Sequence, residues 1–144
     1  GPQRVGLFTL AKDEPVKPSE EKFQETRGTA YGSGLIHIHS KLLMADDARC
    51  LLSSANINGR SFEWDTELGF IWTEPDDAIG GFREKLWKQL FDGTLPGDLE
   101  AWRDIARHNS VAEPDDRKGF VVPYQLGRAR RFARPYWFIP DDLV

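Results

Sequence analysis

His39, Lys41, Ser54 and Asn56 are the side chains whose types and spacing suit a common chemistry. His39 and Lys41 lie two positions apart in an apolar run, residues 35–44, that reads as a strand. Alternate side chains of a strand share a face, so His37, His39 and Lys41 are expected to point one way and Ile36, Ile38, Ser40 and Leu42 the other. Ser53-Ser54-Ala55-Asn56 follows the next short apolar run, residues 49–53. An imidazole and an ammonium on one face, with Ser54 and Asn56 returning from the end of the next strand, make a pocket for a phosphate. Histidine suits this work because its free pKa of ~6.5 lets it act as nucleophile or proton donor near neutrality. Lysine and asparagine supply donors to the non-bridging oxygens, where charge accumulates in the transition state. The arrangement requires no metal and no cofactor.

Completed by Asp46, the residues read H-x-K-x4-D over positions 39–46, and with Ser54 and Asn56 this resembles one half-site of the phospholipase D superfamily. The likeness continues through Asn56-Ile57-Asn58-Gly59-Arg60-Ser61-Phe62 and Trp64-Asp65-Thr66-Glu67, which are similar to the lipid-acting, cardiolipin-synthase-like branch found in bacteria. Its specific part covers residues 35–72, with looser similarity over Val5–Leu10 and residues 102–124. Ser53 stands where that pattern usually has glycine. The resemblance implies phosphoryl transfer through a phosphohistidine, in a centre assembled from two such motifs. It makes His39 the second-motif histidine, acting as general acid and base toward a nucleophile on the other half. Lys41, Ser54 and Asn56 are then phosphate ligands, and Glu67 orients the His39 ring. Asp46 completes the motif but falls past the strand end, where it reads as a turn and hydrogen-bonding residue. The substrate implied is a phospholipid, with peripheral membrane contact; nucleic acid is not expected as a partner.

Structural readings stand beside these. A solitary strand histidine is usually a satisfied polar residue, and only the other polar positions in register lift His39 above that. His37 reads as a rim or exposed residue. Glu67, beside Leu68, Phe70 and Trp72, suits an ordinary salt-bridged strand as well. His108 follows a helix C-terminus, where a cation is favourable in any case. Arg128, Arg130, Arg131 and Arg134, interleaved with Phe132, Tyr136 and Trp137, have the composition to meet phosphates or lipid headgroups, but Asp141 and Asp142 suggest a solvated, acid-paired tail.

The elements that must position these residues are expected to form a partial α/β lobe, a mixed β-sheet flanked by helices, over residues 1–144. Strands are expected at residues 5–10, 35–44, 49–53 and 67–72. A short helix fits 58–62, and amphipathic helices fit 78–91 and 99–108. Residues 11–34 read as a long loop with a turn of helix at 19–23, and 119–144 as an irregular tail. Only 38 residues precede His39, too few to finish a sheet of the implied kind. The lobe is therefore expected to be completed by the N-terminal half of the same precursor carrying the first motif, or by a second copy of the chain. Two alternatives are a single-motif homodimeric nuclease of the same superfamily, and a lobe that binds or assembles without catalysis.

Composition narrows the choice of partner and environment. At 144 residues with 40% apolar content the chain has enough for a modest core. A net charge of −4 offers no global attraction to nucleic acid or anionic membrane, so an anionic substrate must be held by local cations. The one cysteine, Cys50, excludes an internal disulfide and sits in an apolar run that suits a buried thiol.

Overall fold

Phe8 opens the first strand of a computed structural model that describes residues 4–16, 29–73 and 77–127. The strands are β1 (Phe8–Pro15), β2 (Thr29–Ala30), β3 (Ser33–Leu35), β4 (Lys41–Ala45), β5 (Arg49–Ser53), β6 (Gly69–Trp72) and β7 (Val121–Pro123). The helices whose bounds fall among the described residues are α1 (Gly59–Glu63), α2 (Ala78–Leu90) and α3 (Leu99–Val111), with a 3-10 turn at Pro114–Asp116. They fall into two compact units, residues 1–38 with 84–125 and residues 39–83 with 126–144. Helix α2 contributes its first residues to the second unit and the rest to the first. Sheets and helices together make the expected α/β lobe, with the strands shared between two sheets and every described strand pair antiparallel. No described helix is long and apolar enough to cross a membrane.

The first unit holds a four-stranded sheet in the order β2-β3-β1-β7. Phe91, Ala106 and Val121 form its buried centre, with Phe8, Leu10, Trp87, Leu90, Trp102 and Ile105 packed around them. The Trp102 ring lies 4.4 Å from Phe91 and 5.1 Å from Trp87, both edge-on, and 5.5 Å from Phe8. Edge-to-face packing of this kind adds about 0.5–1.5 kcal/mol per pair beyond area burial. Helix α3 starts where the Asp98 carboxylate accepts from the Ala101 amide at 2.8 Å. Its other end is tied down by Asn109, whose side-chain amide donates to Val121 O at 2.9 Å while its carbonyl accepts from Lys118 N at 2.8 Å.

Two residues lock this unit in ways that hydropathy does not reveal. Arg117 is buried, and its guanidinium donates to Asn109 O (3.1 Å), Lys12 O (2.9 Å), Ser33 Oγ (2.7 Å) and Tyr31 O. Burial lowers its pKa below the usual arginine value, and the Glu113 charge opposes that shift. Gly119 has φ +76°, and a Cβ there would stand 2.2 Å from Leu90 O and 2.7 Å from Phe91 Cα. This close approach lets the Phe120 amide donate to Leu90 O at 2.9 Å, which docks the end of α2 beside the start of β7. Gly119→Ala is expected to cost about 3 kcal/mol or more, from the left-handed backbone and the displaced carbonyl together. Thermal unfolding should show a midpoint lower by about 10 °C or more, and an unchanged midpoint would mean the approach is not needed.

The second unit carries a three-stranded sheet in the order β4-β5-β6. Its register sets Leu43, Leu51 and Ile71 side by side on one face, and Leu42, Leu52 and Phe70 on the other, with Met44, Cys50 and Trp72. Cys50 is buried, as expected. Trp72 approaches Phe82 of α2 with ring centroids 6.4 Å apart. Both faces keep large apolar side chains exposed, including Leu43, Leu52, Phe70 and Ile71.

Several expectations need correction. The single strand over residues 35–44 is two, because β3 pairs with β1 and β2 while β4 pairs with β5 in a separate sheet. Residues 36–40 carry the chain from one sheet to the other and belong to no strand. His37 and His39 therefore do not owe their directions to strand alternation with Lys41. The expected loop over 11–34 is invaded from both sides, by β1 as far as Pro15 and by the β2–β3 hairpin, since their backbones find ladder partners. The expected irregular tail begins with a strand, β7, paired to β1 through Phe8↔Pro123 and Leu10↔Val121. The helical turn at 19–23 and the arginine- and aromatic-rich residues 128–144 lie outside the described residues.

Candidate active site

Antiparallel pairing brings the N-terminal end of β4, the C-terminal end of β5 and the N-terminal end of β6 to the same end of one sheet. Lys41 opens β4 opposite Ser53, which closes β5 opposite Gly69, the first residue of β6. His39 lies two residues before β4, Ser54 and Asn56 just after β5, and Glu67 two residues before β6. Topology thus gathers five of the six candidate residues at one end of β4-β5-β6. Asp46 lies at the other end, in the β4–β5 turn just past Ala45, which is itself about 13 Å along the strand from Lys41 at ~3.3 Å per residue.

The loop ends are fixed by hydrogen bonds. Ser54 N donates to Leu68 O at 2.9 Å, and Leu68 N donates to Ser54 Oγ at 3.0 Å. The Ser54 hydroxyl in turn donates to Glu67 Oε2. Ser53 Oγ accepts from Ala55 N at 3.0 Å and makes a long 3.5 Å approach to Leu68 O. The Lys41 ammonium donates to the His39 carbonyl at 2.8 Å, which holds it beside the residue it is expected to work with. His39, Ser54 and Asn56 are exposed, and Lys41 and Glu67 are half-buried. Below the loop, the Asn58 side chain caps α1 by accepting from Ser61 N at 2.9 Å, and Arg60 pairs with Asp65 at 2.9 Å. This end of the sheet therefore presents an imidazole, an ammonium and a carboxamide toward solvent, with a carboxylate held by a hydroxyl. Such a set can bind a phosphate and move a proton. Among the described residues, no three His, Cys, Asp or Glu side chains converge as metal ligands.

The Ser54–Glu67 bond and the role of Ser53 escape a reading from sequence. The available signal is a pair of hydroxyl residues closing one apolar run, with an acid just before the next.

The turn that carries Asp46 has its own anchor. Asp46 and Asp47 both have φ 52°, a left-handed pair that reverses the chain, and Ala48 N donates to Ala45 O at 3.1 Å. Arg83 holds the Asp47 carboxylate with two bonds, Nε to Oδ1 at 2.5 Å and Nη2 to Oδ2 at 2.7 Å. That hydrogen bonding keeps the Asp47 pKa below its ordinary value, with desolvation opposing it. A depressed carboxylate pKa gives stability that is present above the ordinary value of 3.8 and is lost as pH falls from there through the lowered folded value. Acid unfolding of Asp47→Asn should accordingly be flatter than that of the parent below about pH 4. Parallel acid limbs would show that the pair contributes nothing to the pH dependence.

Comparison with known proteins matches this segment and more. The chain is 27% identical to phospholipase D alpha 1 of Arabidopsis thaliana over 152 aligned positions, covering 87% of this chain and 19% of that protein. It is 38% identical over 78 positions to phospholipase D A of Dictyostelium discoideum, covering 42% of this chain and 6% of that protein. It is 37% identical over 59 positions to phospholipase D1 of Saccharomyces cerevisiae, covering 41% of this chain and 3% of that protein. The chain thus spans about a fifth or less of the length of these relatives. What the three relatives share with this chain is sequence similarity to proteins named phospholipase D. No family model matches the chain, and no solved structure matches it.

Proposed function

We propose that this chain supplies the second H-x-K-x4-D half-site of a phospholipase D-like phosphodiesterase or phosphatidyltransferase. What supports this reading above all is the gathering of His39, Lys41, Ser54, Asn56 and Glu67 at one sheet end, in a chain similar over 87% of its length to a phospholipase D. In the proposed reaction, the histidine of the first half attacks phosphorus and forms an N–P bond. The P–O bond to the headgroup alcohol breaks, and His39 protonates the departing oxygen. His39 then takes a proton from water or an acceptor alcohol, whose oxygen attacks phosphorus as the N–P bond breaks. Hydrolysis leaves phosphatidate, and transfer leaves a new phosphodiester. Lys41 and Asn56 donate to the non-bridging oxygens as charge builds there, and Glu67 orients the His39 imidazole.

In-line displacement puts the attacking and leaving atoms on opposite sides of phosphorus, so one histidine cannot fill both roles. The assembled enzyme therefore needs a second histidine, from the N-terminal half of the same precursor or from a second copy. Light scattering of the purified assembly, with phosphatidylcholine vesicles as substrate, tests this. The expected result is a mass above that of this chain, choline release that follows the assembled fraction, and acid-labile phosphate trapped on histidine. A fully active monomer of these 144 residues would overturn the two-histidine mechanism. Cleavage of DNA with no release from phospholipid would replace the lipid reading with the nuclease one.

A further inference from the structure

We infer that Ser53 and Ser54 form a hydroxyl clamp on residue 68 that positions the Glu67 carboxylate, and that Ser54 is a positioning residue and not a ligand of the phosphate. The inference rests on the half-site reading above and changes the role of one of its residues. A serine hydroxyl has one proton to give. The Ser54 oxygen already accepts from Leu68 N at 3.0 Å, and its proton goes to Glu67 Oε2. An amide cannot reverse its bond, so the free direction of the hydroxyl is spent on the carboxylate. A phosphate oxygen would have to compete with an ionised carboxylate for that proton. The same residue donates its own amide to Leu68 O at 2.9 Å, so both polar backbone groups of Leu68 are held by Ser54. Glu67 is thereby fixed from two sides, through its carboxylate and through the backbone of the next residue.

Ser53 adds the second hydroxyl. Its oxygen accepts from Ala55 N at 3.0 Å, which fixes the turn leading to Asn56, and it faces the same Leu68 carbonyl at 3.5 Å. Glycine, the usual residue at this place in the resembling pattern, has no side chain to make either approach. The clamp leaves Lys41 and Asn56 as the donors to phosphate and makes the two serines the frame for Glu67, the acid proposed to orient His39.

The test is a double-mutant cycle on turnover of phosphatidylcholine by the assembled enzyme, read together with amide exchange of Leu68 in this chain. Ser54→Ala and Glu67→Gln should each lower kcat by roughly 10²-fold, and the double variant should be no worse than the poorer single one. Ser54→Thr, which keeps the hydroxyl, should restore most of the rate, and Ser53→Gly should fall between the parent and Ser54→Ala. Independent, additive losses for Ser54 and Glu67 would overturn the clamp, because a phosphate ligand acts separately from the acid. If the assembly proves inactive on the lipid, the half-site reading fails and exchange alone decides the clamp. Leu68 amide protection lost in Ser54→Ala and kept in Ser54→Thr supports it. Protection unchanged in Ser54→Ala overturns it.

Discussion

His39→Ala is expected to lower turnover of the assembled enzyme by about 10³-fold or more while leaving its stability within about 0.5 kcal/mol of the parent. The two numbers separate the functional reading from the structural one. A thousandfold loss corresponds to about 4 kcal/mol of transition-state stabilisation, far more than an exposed side chain contributes to folding. His39 is exposed and lies outside the strands, so removing its ring opens no cavity and breaks no ladder bond. Lys41→Met extends the argument to the neighbouring cation. The methionine keeps most of the apolar stem that packs at the start of β4 and deletes the ammonium that reaches the His39 carbonyl. Stability should hold while the rate falls by about 10²-fold or more, since donors aimed at phosphate oxygens act mainly on developing charge. Steady-state kinetics beside thermal unfolding is the measurement. Near-normal turnover in His39→Ala would remove this residue from the reaction, and an unfolded Lys41→Met with an active residual fraction would make Lys41 structural.

The second large effect is on folding and lies in the other unit. Arg117→Met should destabilise the protein by about 3 kcal/mol or more, because it strands several buried acceptors at once. Its guanidinium serves the carbonyls of Lys12, Tyr31 and Asn109 and the hydroxyl of Ser33. Those groups belong to β1, the β2–β3 turn, α3 and β3, so a single side chain satisfies oxygens from four parts of the unit. Methionine matches the stem in volume and donates to none of them. Chemical unfolding should report the loss as a lower midpoint, and Arg117→Lys should recover only part of it, since one ammonium cannot reproduce the planar fork. A midpoint equal to the parent's would mean that water reaches these oxygens readily.

How much of this was legible beforehand depends on how local the deciding interactions are. Helices α2 and α3, strands β5 and β6 and the Asp46 turn follow from periodicity and turn chemistry, which act over a few residues. The break at residues 36–40 does not, because the apolar pattern runs through it while the hydrogen-bond partners change from β1 and β2 to β5. Strand β7 is short and ends in Pro123, so only its pairing with β1 defines it. Arg117 is invisible for a related reason: its partners are mainly backbone carbonyls, which every residue possesses. At the site, the residue types carry the proposed chemistry. What sequence could not supply was the direction of the Ser54 proton, which depends on Leu68 and Glu67 being drawn alongside.

The way the two sheets are wired has a consequence for the order of events after synthesis. Every ladder of β4-β5-β6 joins neighbours in sequence, so the candidate site needs only short loops to close. The other sheet joins β1 to β7, and the Arg117–Lys12 bond spans 105 residues. Closing a long loop costs more chain entropy, and folding slows as contacts become more distant in sequence. The end of the sheet that carries the candidate site is therefore expected to form early, before β1 and β7 pair. During that interval the nascent chain is most exposed to mispairing, so a variant that slows β1–β7 closure is expected to lower the yield on refolding.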